Sequence, residues 1–107
     1  MAIEMKDFEK IEMKVGEILR ADDIAGSDNL YKLEVDIGGR QITLVAGLKN
    51  SYKKAKLPGK KIIVVTNLRP ATIKGVTSEG MLLAAVKNDD IKLVTVDADA
   101  EVGSNVA

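Results

Sequence analysis

The chain contains no cysteine, no histidine and no tryptophan, and its aromatic residues are Phe8, Tyr31 and Tyr52 alone. Without cysteine there are no disulfides, which points to an intracellular, cytoplasmic address. Without histidine and cysteine the chain also lacks the commonest general base, the thiol nucleophile and the usual zinc ligands. Any catalysis would have to run on carboxylates and lysines. No apolar run approaches the roughly 18 residues of a membrane span. The opening "MAIEMKDFEK" has neither the basic nor the apolar region of a signal peptide. Repeats, low-complexity tracts and linkers are absent as well.

What remains is an ordinary globular composition: 107 residues, 46% hydrophobic and 30% charged. A length near the commonest domain size predicts one domain over residues 1–107. The net charge is zero, but the charges are segregated. Residues 1–36 carry ten acids and five bases, and residues 79–107 six acids and two bases. Between Ile37 and Ser78 there is no acid, against nine bases. Such a basic middle either faces an anionic partner or is a solvated surface whose lysines meet carboxylates on folding.

The apolar pattern reads as strands. Asp7 to Ile11 fits a short amphipathic helix. "MKVGEILRADDIAG" is a strand in which Gly16 marks a bulge or a close backbone approach. "LYKLEVDIG" alternates, Gly38-Gly39 signals a hairpin, and "RQITLVAGL" returns. Asn50 or Ser51 is placed to cap a helical turn ending before Pro58-Gly59. "KIIVVTNL" is a buried β-branched strand, and "GMLLAAV" and "IKLVTVD" follow. The predicted fold class is all-β: an OB-fold five-stranded barrel with a short helix between strands three and four and small terminal additions. A small β-sandwich is the alternative.

One stretch breaks the pattern: "NLRPATIKGVTSEGMLLAA", residues 67–85. Gly75 and Gly80 allow close backbone approach. Asn67, Arg69, Lys74, Thr77 and Ser78 offer the amide, cations and hydroxyls that bind phosphate and ribose. The same residues would also build a tight turn fixed by Pro70 and Gly75, with Ser78 capping it. Lys32, Lys49 and Lys53 are further candidate phosphate contacts, while Lys60 and Lys61 read as solvated strand ends. Met81 reads as barrel lining or a groove contact, and Tyr31 as core or as a ligand-facing ring. With so few rings, stacking of successive bases is poorly supplied, so a structured RNA gripped through backbone and shape fits better than a single strand. The acidic pairs Asp22-Asp23 and Asp89-Asp90, and Asp97 with Asp99 and Glu101, lack calcium-loop spacing. Neither metal nor cofactor is expected.

The segments "IEMKVGEI", "LYKLEVDIGGRQITLVAGL" and "GKKIIVVTNLRPATIKGVTSEGMLLAA" resemble the tRNA-binding domain appended to methionyl-tRNA synthetases. That module also occurs as a free-standing bacterial tRNA-binding protein, in a chaperone-like relative and in endothelial monocyte-activating polypeptide II. Lys14 stands where the family more often has arginine, and the loop Gly26–Asn29 is shortened. The resemblance implies an OB fold, a homodimer, and binding to the body of tRNA without strong sequence choice. It also implies a non-catalytic role beside a methionyl-tRNA synthetase catalytic body. Two rivals stay open: a chaperone-like protein-binding dimer on the same fold, and an enzyme working through Glu79 and Lys74. The cations between the second and fifth β segments are expected to converge on one shallow cleft.

Overall fold

A computed structural model describes residues 1–107. A short helix, α1 (Met5–Phe8), precedes β1 (Met13–Asp23), β2 (Tyr31–Asp36) and β3 (Gln41–Ala46). A 3-10 turn, Lys54–Lys56, leads to β4 (Lys61–Val65). Then come β5 (Ala71–Ile73), β6 (Val76–Ser78), β7 (Met81–Leu82), β8 (Ala84–Lys87), β9 (Asp90–Leu93) and β10 (Asn105–Val106). No helix is long and apolar enough to cross a membrane.

The fold is all-β, a curled half-barrel sheet with almost no helix. Its strand order is β3-β2-β1-β4-β7, with β10 added along β1. The register follows from side-chain alternation. In β2 every second residue, Tyr31, Leu33 and Val35, is buried, and β3 does the same with Ile42, Leu44 and Ala46. A slip of one position would turn all six outward. Gly38 and Gly39 join these strands at φ 85° and 90°, the left-handed pair a two-residue hairpin requires.

β1 keeps its alternation only by a bulge. Ile18 pairs with Val35 and Arg20 with Glu34, leaving Leu19 unopposed. The extra residue returns Ala21 to the core after two exposed positions. Gly16 is therefore the close approach and not the bulge: a Cβ there would meet Val35 Cγ1 at 2.8 Å. In β4, Ile62 and Val64 join the main core while Ile63 and Val65 are buried on the opposite face, as expected of the most β-branched run. Each such side chain contributes about 1.5–3 kcal/mol when fully buried.

The helix expected between strands three and four is reduced to the 3-10 turn. Lys53 precedes it in extended conformation (φ −72°, ψ 139°) with no side-chain cap. Ser51, one of the two candidate caps, instead accepts the Ile91 amide on its Oγ at 3.2 Å. With the cap committed to β9 and Pro58 nearby, nothing sustains a longer helix.

The odd stretch folds into elements the alternation pattern did not foresee. β5 and β6 form a two-stranded hairpin turning at Lys74-Gly75, at φ 53° and 80°. Its continuation bridges the two ends of the curled sheet. The Glu79 amide donates to Thr43 O at 2.8 Å on the free edge of β3. Two and three residues on, Met81 and Leu82 pair with Val65 and Val64 of β4. Gly80 sits at the crossing, where a Cβ would come within 2.7 Å of Val65 O.

Candidate nucleic-acid interface

The β5–β6 hairpin stands against the outer face of β2 and β3. A polar cleft of about 370 Å³ lies between them, lined by Lys32, Thr43, Gly75, Val76, Thr77 and Glu79. Strand alternation puts Lys32 and Thr43 outward while Leu33 and Leu44 enter the core. The cleft is rich in donors and acceptors. Thr43 Oγ1 donates to the Glu34 carboxylate at 3.1 Å, and Lys32 Nζ lies 3.8 Å from Glu34 Oε1. Thr72 and Thr77 pair their hydroxyls across the hairpin at 3.1 Å. Glu79 Oε2 accepts the Thr43 amide at 2.6 Å.

The remaining candidates divide by what folding has done with their polar atoms. Asn67 spans two segments: its Oδ1 accepts the Glu12 amide at 3.0 Å, and its Nδ2 donates to Lys10 O at 2.7 Å. Ser78 is buried; its Oγ accepts the Val45 amide and donates to Gly80 O, both at 3.0 Å. Both side chains are thereby committed to holding the loop and the sheet edge. Arg69 and Lys74 are exposed and make no ion pair. Met81 is half exposed and lines an apolar groove with Arg69 on the other side of the hairpin. Tyr31 belongs to the core, its hydroxyl donating to Tyr52 O at 2.8 Å. No ring lines the cleft.

None of the nine bases of the middle segment lines the cleft, whose one basic side chain is Lys32. Lys49 and Lys54 both bind the Asp23 carboxylate, at 3.2 and 2.8 Å. The hydrogen bond from Lys54, reinforced by Lys49, holds the Asp23 pKa below the usual carboxylate range, and Asp23 in turn raises Lys54. Arg20 is likewise raised by its hydrogen bond to Asp22. The aspartate pair thus neutralises lysines and an arginine, and no group of three acids is placed to hold a metal. Lys60 lies over the Tyr52 ring, 5.7 Å from its centre. Lys61 is not a solvated end: its ammonium donates to the carbonyls of Ala98 and Ala100. Arg40, Lys53, Lys56, Arg69 and Lys74 keep no carboxylate partner.

Thr43 escaped the sequence reading because its place in the cleft depends on the hairpin. A signal for that hairpin exists: Lys74-Gly75 sits between the β-branched pairs Thr72-Ile73 and Val76-Thr77.

The family model described as "Putative tRNA binding domain" matches residues 13–105. Over 105 residues, 97% of this chain, the sequence is 47% identical to a methionine–tRNA ligase of Methanocaldococcus jannaschii, of whose length the match covers 16%. The chain thus spans about a sixth of that relative. A crystal structure of a MetRS-related protein from Pyrococcus horikoshii superposes with a TM-score of 0.94 at 36% identity, covering 100% of this chain and 99% of that one. A CsaA chaperone protein from Picrophilus torridus superposes at 0.91, also at 36% identity, covering 99% and 100%. With the family model matching most of its length, the chain belongs to the tRNA-binding domain family.

Proposed function

We propose that residues 1–107 act as one non-catalytic module that binds tRNA by structure, with little sequence choice, and assists a methionyl-tRNA synthetase in the cytoplasm. The polar cleft under the β5–β6 hairpin carries this reading, with Lys32 inside and Lys74 next in the chain to Gly75 of its lining. Hydroxyls, backbone and cations are what phosphate and ribose recognition needs. The curled sheet, bridged by residues 78–82, is read as an OB-type barrel, whose ligands meet the face of the second and third strands and the flanking loops. Lys53 and Arg69 extend the contact, and Lys49 joins them on leaving Asp23, whereas Asn67 and Ser78 hold its scaffold. The module works by tethering: held beside a catalytic body supplied elsewhere, it raises the effective concentration of tRNA. A homodimer would double the basic surface. Its proposed faces are α1, which buries no residue, with residues 86–107.

The test is a salt titration of tRNA binding. The log–log slope should be about −0.7 to −0.9 per neutralised phosphate, and an Arg69→Ala/Lys74→Ala double variant should be shallower by about two such steps. Absence of tRNA binding at about 50 mM salt, where counterion release favours complexes most, overturns the proposal.

One observation favours a second reading, a chaperone-like protein-binding dimer. An apolar groove of about 270 Å³ runs past Leu48, Met81, Leu82, Val86 and Ile91. Suppression of aggregation of an unfolded protein without RNA would support that reading.

A further inference from the structure

A second groove lies on the side of the hairpin away from the polar cleft. It encloses about 300 Å³, between Val45, Leu68, Arg69, Ala71, Ile73 and Met81. That volume is at the small end of the roughly 300–1,000 Å³ of ligand sites, enough for one flat heterocycle. Leu68, Ile73 and Met81 keep 46%, 39% and 51% of their surface exposed, so the walls are apolar and open to solvent. An apolar groove of this size, open to solvent, has room to seat a ligand. Its surroundings are cationic: Arg69 lines it, Lys74 follows Ile73 at the hairpin turn, and neither has a carboxylate partner. The acid next in sequence, Glu79, lines the other cleft.

We infer that this groove receives one unstacked nucleobase of a bound RNA, with Arg69 and Lys74 on the flanking phosphates. The chain then selects for the presence of an unpaired nucleotide and not for its identity. The charge pattern favours a nucleotide over an apolar peptide, because cations at the rim match phosphates on either side of a base. Indifference to identity has its own cause. The one buried hydroxyl in the wall, Ser78, already serves Val45 and Gly80. Little is left to read a base edge, whereas every base presents an apolar face. Aliphatic side chains here do the work that rings do on other single-strand platforms. The inference rests on the RNA-binding reading above.

Two RNAs with equal phosphate numbers test it with the full chain: a stem–loop carrying 2-aminopurine in the loop, and a blunt duplex. The stem–loop should bind about threefold to tenfold more tightly, a fraction of the stacking strength of aromatic platforms. The 2-aminopurine emission should change on binding. Met81→Ala and Ile73→Ser, both exposed positions whose folding is checked by thermal melts, should each remove most of that preference and leave the salt slope unchanged. Arg69→Ala should flatten the slope for both RNAs. Equal affinity for the two RNAs, or a preference that survives both apolar variants, overturns the inference and leaves salt-dependent tRNA binding standing. Failure of tRNA and both probes to bind, with capture of an unfolded polypeptide instead, overturns the RNA-binding reading along with it.

Discussion

Lys74 and Ser78 are four positions apart and chemically both suit a phosphate, yet folding gives them opposite circumstances. Lys74 occupies φ 53°, a left-handed conformation that costs a side chain with a Cβ about 1–2 kcal/mol. Asn tolerates that region, so Lys74→Asn should raise the unfolding free energy by about 0.5–1 kcal/mol while weakening tRNA binding. Urea melts and a salt titration measure the two effects. Ser78 is the converse, buried and bonded at both ends. Ser78→Ala leaves the Val45 amide without its partner and should cost about 1–3 kcal/mol in a urea melt. Sequence reading can name the polar inventory of Asn67–Ser78 but not which of its atoms face solvent. That direction is set by Val45, Glu12 and Lys10, residues more than 30 positions away.

At the scale of elements, the ends of β1 and β3 are joined to the 3-10 turn by one carboxylate. Asp23, the last residue of β1, holds Lys49 just after β3 and Lys54 in the turn. Its folded pKa is depressed, so its stabilisation is present above the ordinary value of about 3.9 and fades as pH falls through the lower folded value. Lys54, raised by the same contact, makes its contribution below about 10.4 and loses it as pH rises through the raised value. Urea midpoints of wild type and Asp23→Asn should therefore differ slightly near neutral pH and converge in acid. High salt should shrink the difference, because the groups are exposed. The same variant releases two lysines and should steepen the salt dependence of tRNA binding. The strands around this clip were legible because their period of two is local. The 3-10 turn was not, because Ser51 is claimed by Ile91, forty positions on.

For the whole molecule, the sheet is curled until one segment, Ser78 to Leu82, touches both its ends. Gly80 lies where Val65 O leaves no room for a side chain, so Gly80→Ala should destabilise the curled sheet more than any exposed substitution. Outside the sheet, Met5 is 69% and Phe8 39% exposed on a helix that buries nothing. Large apolar side chains left in water favour association. Light scattering at micromolar concentration should give the mass of a dimer, and Phe8→Asp should shift it toward monomer. A strict wild-type monomer removes the dimer while leaving RNA binding open.

The sequence by itself determined β1 to β3, the Gly38-Gly39 hairpin, the buried β4 and the segregation of charge. Each depends on neighbours within a few residues: alternation, β-branching and turn chemistry. Only the tertiary structure decided which cations remain free, because Asp23 and the carbonyls of Ala98 and Ala100 reach Lys49, Lys54 and Lys61 from distant parts of the chain. The fold likewise created the polar cleft and the apolar groove, since both need the hairpin laid against the sheet. Local pattern sets what a segment can become; long-range pairing sets which of its atoms are left to meet a ligand.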